Sequence, residues 1–70
     1  METYTLTPNM KSWLKKLYRK EAEDAIGSAN VNHLCALGSN TDELAAMHEQ
    51  NADEYREYAR VLEVMAKELD

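Results

Sequence analysis

Cysteine is almost missing from this chain: Cys35 stands alone among 70 residues. No internal disulfide can staple the fold, which excludes a small disulfide scaffold. Proline and glycine are nearly as scarce, with only Pro8, Gly27 and Gly38, so few points punctuate the chain. No apolar run approaches the ~18 residues that a membrane span needs. No basic-then-apolar leader opens the sequence, and a reducing cytoplasmic setting is expected. Positive charge is in the minority, with 8 Lys and Arg against 13 Asp and Glu, a net of −5. That balance disfavours binding of duplex nucleic acid. The length allows one domain, 1–70, whose thin core buries only roughly 60% of the unfolded surface.

The charge is unevenly spread. Residues 1–20 hold Lys11, Lys15, Lys16, Arg19 and Lys20 against Glu2, a net of +4, and residues 21–70 carry −9. Two arrangements fit this split. The basic segment leans on an acidic one, within the fold or across an oligomer, or it forms an anion- or partner-binding face.

The pattern predicts an all-α chain. Residues 1–7 read as a short extended arm, with β-branched alternation at Thr3-Tyr4-Thr5-Leu6 and with Leu6 placed to fold onto Met10. Thr7-Pro8 reads as an N-cap followed by proline at the first helical position. Helix 1 should span 8–37. Its stripe of Met10, Trp13, Leu14, Leu17, Tyr18, Ala22, Ala25 and Ile26 resumes out of phase as Val31, Leu34, Cys35 and Leu37. A kink or break at Gly27-Ser28 is therefore expected, with one continuous helix as the alternative, since a glycine costs only ~1 kcal/mol. Gly38 suits a left-handed C-terminal residue. Asn40 with Glu43 has capping-box spacing, and helix 2 should span 41–69.

Helix 2 has the cleanest periodicity. Leu44, His48, Asn51, Tyr55, Tyr58, Leu62, Met65 and Leu69 step by threes and fours, and Ala45, Ala52, Ala59 and Ala66 recur every seven residues beside them. The short link makes the helices antiparallel neighbours. A lone hairpin leaves each helix half covered, so a homo-oligomeric, four-helix-type bundle is expected, with those eight residues as its seam. Asn51 either sets register there or lines a polar pocket with His48.

Chemistry-bearing motifs are few. His33, Cys35, His48 and Glu49 lack metal-ligand spacing, and His48 reads as a hydrogen-bonded core histidine. Cys35, between Leu34 and Ala36, reads as a buried, inert thiol. The pairs Glu23-Asp24 and Asp53-Glu54 read as solvated faces. No catalytic set, metal site or cofactor is expected. A binding surface is the remaining candidate. A tight hairpin with Leu37 opposite Thr41 sets Tyr18 near Arg60, Lys15 near Glu63 and Trp13 near Met65. Trp13, Lys15, Lys16, Tyr18, Arg19, Tyr55, Arg56 and Arg60 then gather at one end, where aromatic rings stack on bases and cations hold phosphates. In the competing reading the aromatics are core and the arginines pair with Glu54, Glu57 or Glu63 at helical spacing.

Leu37-Gly38-Ser39-Asn40-Thr41-Asp42-Glu43-Leu44, Met47-His48-Glu49-Gln50-Asn51-Ala52 and Tyr55-Arg56-Glu57-Tyr58-Ala59 resemble short helical proteins encoded by bacteriophages and mobile elements. The likeness covers the second half of the chain and lies in length, acidity and helical-hairpin build. Proteins of that profile include anti-defence proteins that oligomerise and sequester nucleotide signals or plug a host effector. The resemblance implies a non-enzymatic inhibitor in the host cytoplasm. Its partners would be itself and a small phosphate-bearing ligand. A host protein bound by nucleic-acid mimicry, or a purely structural assembly role, are the alternatives.

Overall fold

A computed structural model describes residues 4–70. Residues 1–3, with the Thr3 part of the expected arm, lie outside it. Residues 4–7 carry no regular structure. Two helices follow, α1 (Pro8–Leu37) and α2 (Asp42–Glu68), packed on each other as an antiparallel hairpin. No strand occurs among the described residues.

The helix ends follow from local chemistry. Thr7 is extended, and its hydroxyl accepts from the Met10 amide at 3.1 Å, while Pro8 occupies the first turn, where its missing N–H costs nothing. At the start of α2 the cap is Thr41, one residue beyond the expected Asn40; its hydroxyl accepts from the Leu44 amide at 3.2 Å. Asp42 and Glu43 then sit in the first turn, against the positive end of the helix dipole. Gly38 ends α1 without a left-handed backbone, at φ −92°. Three donors make that conformation unnecessary. The Gly38 and Ser39 amides reach the Leu34 and Ala36 carbonyls, and the Ser39 hydroxyl donates to the Cys35 carbonyl at 2.7 Å.

The expected break at Gly27 does not occur: α1 runs without interruption for 30 residues. Gly27 is exposed, and a side chain there would meet nothing within 4 Å. The residues that hold α1 in place never lose phase. Ala22, Ala25, Ala29 and Ala36 are all buried, at helical spacing. Val31, Leu34 and Leu37, which looked like a stripe out of phase, are all exposed.

The interface is built from small side chains. The buried residues are Ala22, Ala25, Ala29, Ala36, Ala52, Ala59, Ala66 and Leu62. Alanine recurs every seven residues on α1 (Ala22, Ala29, Ala36) and on α2 (Ala45, Ala52, Ala59, Ala66). Facing alanine ridges let two helices approach closely, because no long side chain holds them apart. Tyr18 packs beside the cluster of Ala22, Ala25, Ala59 and Leu62.

That fit sets the register, which differs from the tight-hairpin arithmetic. Lys15 meets Asp70 rather than Glu63, and His33 meets Glu49 rather than Ala45. The shift is about one turn at the link and about two at the open end, where the long Lys15 side chain adds reach. The link spans Gly38 to Thr41, and the alanine ridges select where the helices lock.

Candidate binding surfaces

A two-helix layer has no interior beyond its seam, so every candidate residue falls on one of its faces. Helical periodicity places Leu44, Asn51, Tyr55, Tyr58 and Met65 of α2 together on one side of the alanine ridge. It places Glu49, Arg56, Arg60 and Glu63 on the other side.

The first side is the tyrosine face. Leu62 is buried there, His48, Asn51 and Leu69 are half-buried, and Leu44, Tyr55, Tyr58 and Met65 are exposed. Apart from Leu62, the residues expected to form an oligomer seam thus flank the intramolecular contact, and Leu44, Tyr55, Tyr58 and Met65 keep 37–45% of their surface in solvent. A shallow concavity opens here, lined by Asn32, Asn51, Glu54, Tyr55 and Tyr58. A second, along α1, is lined by Glu23, Asp24, Gly27, Ser28, Val31, Asn32 and Tyr55.

The second side is charged. Arg56 donates to Asp53 at 2.9 Å and Arg60 to Glu57 at 3.3 Å, both pairs one turn apart on α2. The Arg60–Glu57 pair matches the helical-spacing alternative, whereas Arg56 takes Asp53, which was not among the expected acceptors. Ile26, Arg56, Ala59, Arg60 and Glu63 border a shallow depression on this side. At the open end Lys15 pairs with Asp70. The Lys15 hydrogen bond and charge, with the Arg19 charge behind them, hold the Asp70 carboxyl below the usual aspartate value of 3.8.

The eight residues proposed to hold a ligand are therefore spread over the surface. Tyr55 lies on the tyrosine face, Arg56 and Arg60 line the charged side, and Lys15 is engaged with Asp70. Tyr18 packs on the core cluster. Trp13, Lys16 and Arg19 are exposed on α1, and none of the three concavities reaches them. Lys11, Lys16, Arg19 and Lys20 of α1 and Lys67 of α2 make no ion pair among the described residues, so most of the cations open to an anion lie on α1.

One polar link escaped the sequence reading. The His48 Nδ1–H donates to Asn32 Oδ1 at 3.3 Å, and the Asn32 amide donates to the Ser28 carbonyl at 2.9 Å. Next to it, His33 Nδ1 and Glu49 Oε1 lie 2.6 Å apart. Adjacent polar pairs, Asn32-His33 and His48-Glu49, thus cross-link the helices near the link. The signal was a histidine-containing polar doublet on each helix, readable only once the register is known. His48 is hydrogen-bonded, as expected, but half-buried rather than in the core. Cys35 departs from expectation: it is exposed, because its neighbour Ala36 takes the seam position.

Glu23, Asp24, Asp53 and Glu54 are solvated, as their charge suggested. No group of three or more His, Cys, Asp or Glu among the described residues is arranged to hold a metal ion. No helix among the described residues is long and apolar enough to cross a membrane. No protein-family profile, curated protein or solved structure matches the chain.

Proposed function

We propose that this chain is a non-enzymatic binding module, a helical hairpin that completes its core by associating with copies of itself. One observation carries this reading. Among the described residues sixteen large apolar side chains are exposed, from Tyr4 at 80% to Leu6 at 36%, whereas Leu62 is the one large side chain buried. Monomers seldom leave so much apolar surface in water, and extended patches of it mark association sites. The tyrosine face is the natural contact, since Tyr and Met are enriched at interface centres. A second hairpin laid on it makes a four-helix bundle. Light scattering at micromolar concentration tests this. A dimer or larger species is expected, and a mass of 8.0 kDa at all such concentrations refutes it.

Beyond self-association we assign the module an inhibitory role, as an accessory protein of a phage or mobile element that withholds a small phosphate-bearing signal. Support comes from Lys11, Lys16 and Lys20, free of ion pairs among the described residues, and from Trp13 exposed on the same helix. Cations of this kind neutralise phosphates and an open indole stacks on a base. Calorimetric titration with cyclic and linear nucleotides should give heat. Silence with all of them removes the ligand and leaves the self-association intact.

A further inference from the structure

The hairpin is polarised along its length. Residues 8–22 and 60–70 make up its open half, and these carry seven basic against four acidic side chains, a net of +3. Residues 23–59 make up the half that holds the link, with Arg56 alone against eight carboxylates, a net of −7. The division falls at Ala22 and Ala59, which pack together in the core. The long axis is 51 Å, several times the ~8–10 Å screening length at physiological salt. The two halves therefore act as separate charges.

We propose that the second copy docks antiparallel on the tyrosine face, so that the acidic link end of each hairpin lies over the basic open end of the other. This rests on the self-association proposed above and adds its orientation. A two-fold contact uses the same patch on both copies, and two such arrangements exist for a flat hairpin. With the two-fold axis along the helices, both link ends meet and a −7 half lies against a −7 half. With the axis across the helices, each −7 half lies against a +3 half. Like-charge juxtaposition across an interface is strongly disfavoured, and complementary potential selects register and orientation. The tyrosine face permits either geometry, because its apolar residues run from Leu44 to Met65 along nearly all of α2. The aromatic pair Tyr55 and Tyr58 sits near the middle of α2, so an axis across the helices brings the tyrosines of both copies together. Charge decides the orientation and the apolar face supplies the attraction.

The test is a tip-to-tip distance. Asn40 lies in the exposed link and is not the cap, so a spin label on Asn40→Cys, with Cys35→Ser removing the native thiol, leaves the fold intact. Antiparallel docking predicts dipolar coupling at a distance approaching the 51 Å length of the hairpin. A distance under about 25 Å, roughly two helix diameters, overturns the orientation and leaves association standing. Absence of coupling together with a monomeric mass overturns both.

Discussion

At the scale of single residues, the smallest side chains carry the tightest constraint. Ala29 and Ala52 are fully buried at the seam, where added methylenes have nowhere to go. Ala52→Leu is expected to destabilise by about 1–3 kcal/mol through overpacking, read from urea unfolding. The same change at exposed Ala46 should stay within about 0.5 kcal/mol. The Asn32–His48 link makes a different demand. His48→Ala strands a half-buried amide oxygen and should cost about 1–3 kcal/mol. At the open end, the Asp70 carboxyl titrates below its ordinary value because Lys15 favours the ionised form. Its contribution to stability is therefore complete above pH 3.8 and is lost as pH falls through the lower folded-state value. Lys15→Ala should return the Asp70 titration, followed by NMR, toward the usual aspartate range. The stability difference between the two chains should then vanish in strong acid.

At the scale of elements, what the sequence disclosed depended on how local the cause was. Thr7-Pro8 and the Ser39–Thr41 punctuation act within one turn, so both helices were legible to within a residue or two. The register and the course of α1 were not. Both depend on which alanines face each other, and alanine is ambiguous in a hydropathy pattern, equally at home on a surface or in a seam. Weighting the bulky Val31, Leu34 and Leu37 suggested a phase change at Gly27, whereas Ala22, Ala25, Ala29 and Ala36 show none. The candidate ligand site dispersed for the same reason, since its grouping assumed the tighter register. Because Gly27 is helical and an added side chain there meets open space, Gly27→Ala should stabilise the hairpin by about 0.5–1 kcal/mol, measured by thermal unfolding. A loss would signal strain that the backbone does not display.

At the scale of the whole molecule, the hairpin is one layer, 13 Å along its shortest principal axis, and its tyrosine face is the surface whose covering most changes the balance of burial. Tyr58→Lys places a charge on that face without touching the alanine seam. Light scattering should then report a smaller species, while circular dichroism reports helix retained at high protein concentration. Loss of helix at every concentration would instead show that Tyr58 supports the single hairpin.

A seam of alanines with one leucine has a further consequence, for the order of the unfolding reaction. In the proposed assembly the large side chains find cover only on a neighbour, so the folded state would be linked to a bimolecular step and stability would depend on how many chains are present. Dilution becomes a denaturant. The thermal midpoint should climb with protein concentration, and the abundance of the chain in its cell, as much as its sequence, should set the fraction that is folded.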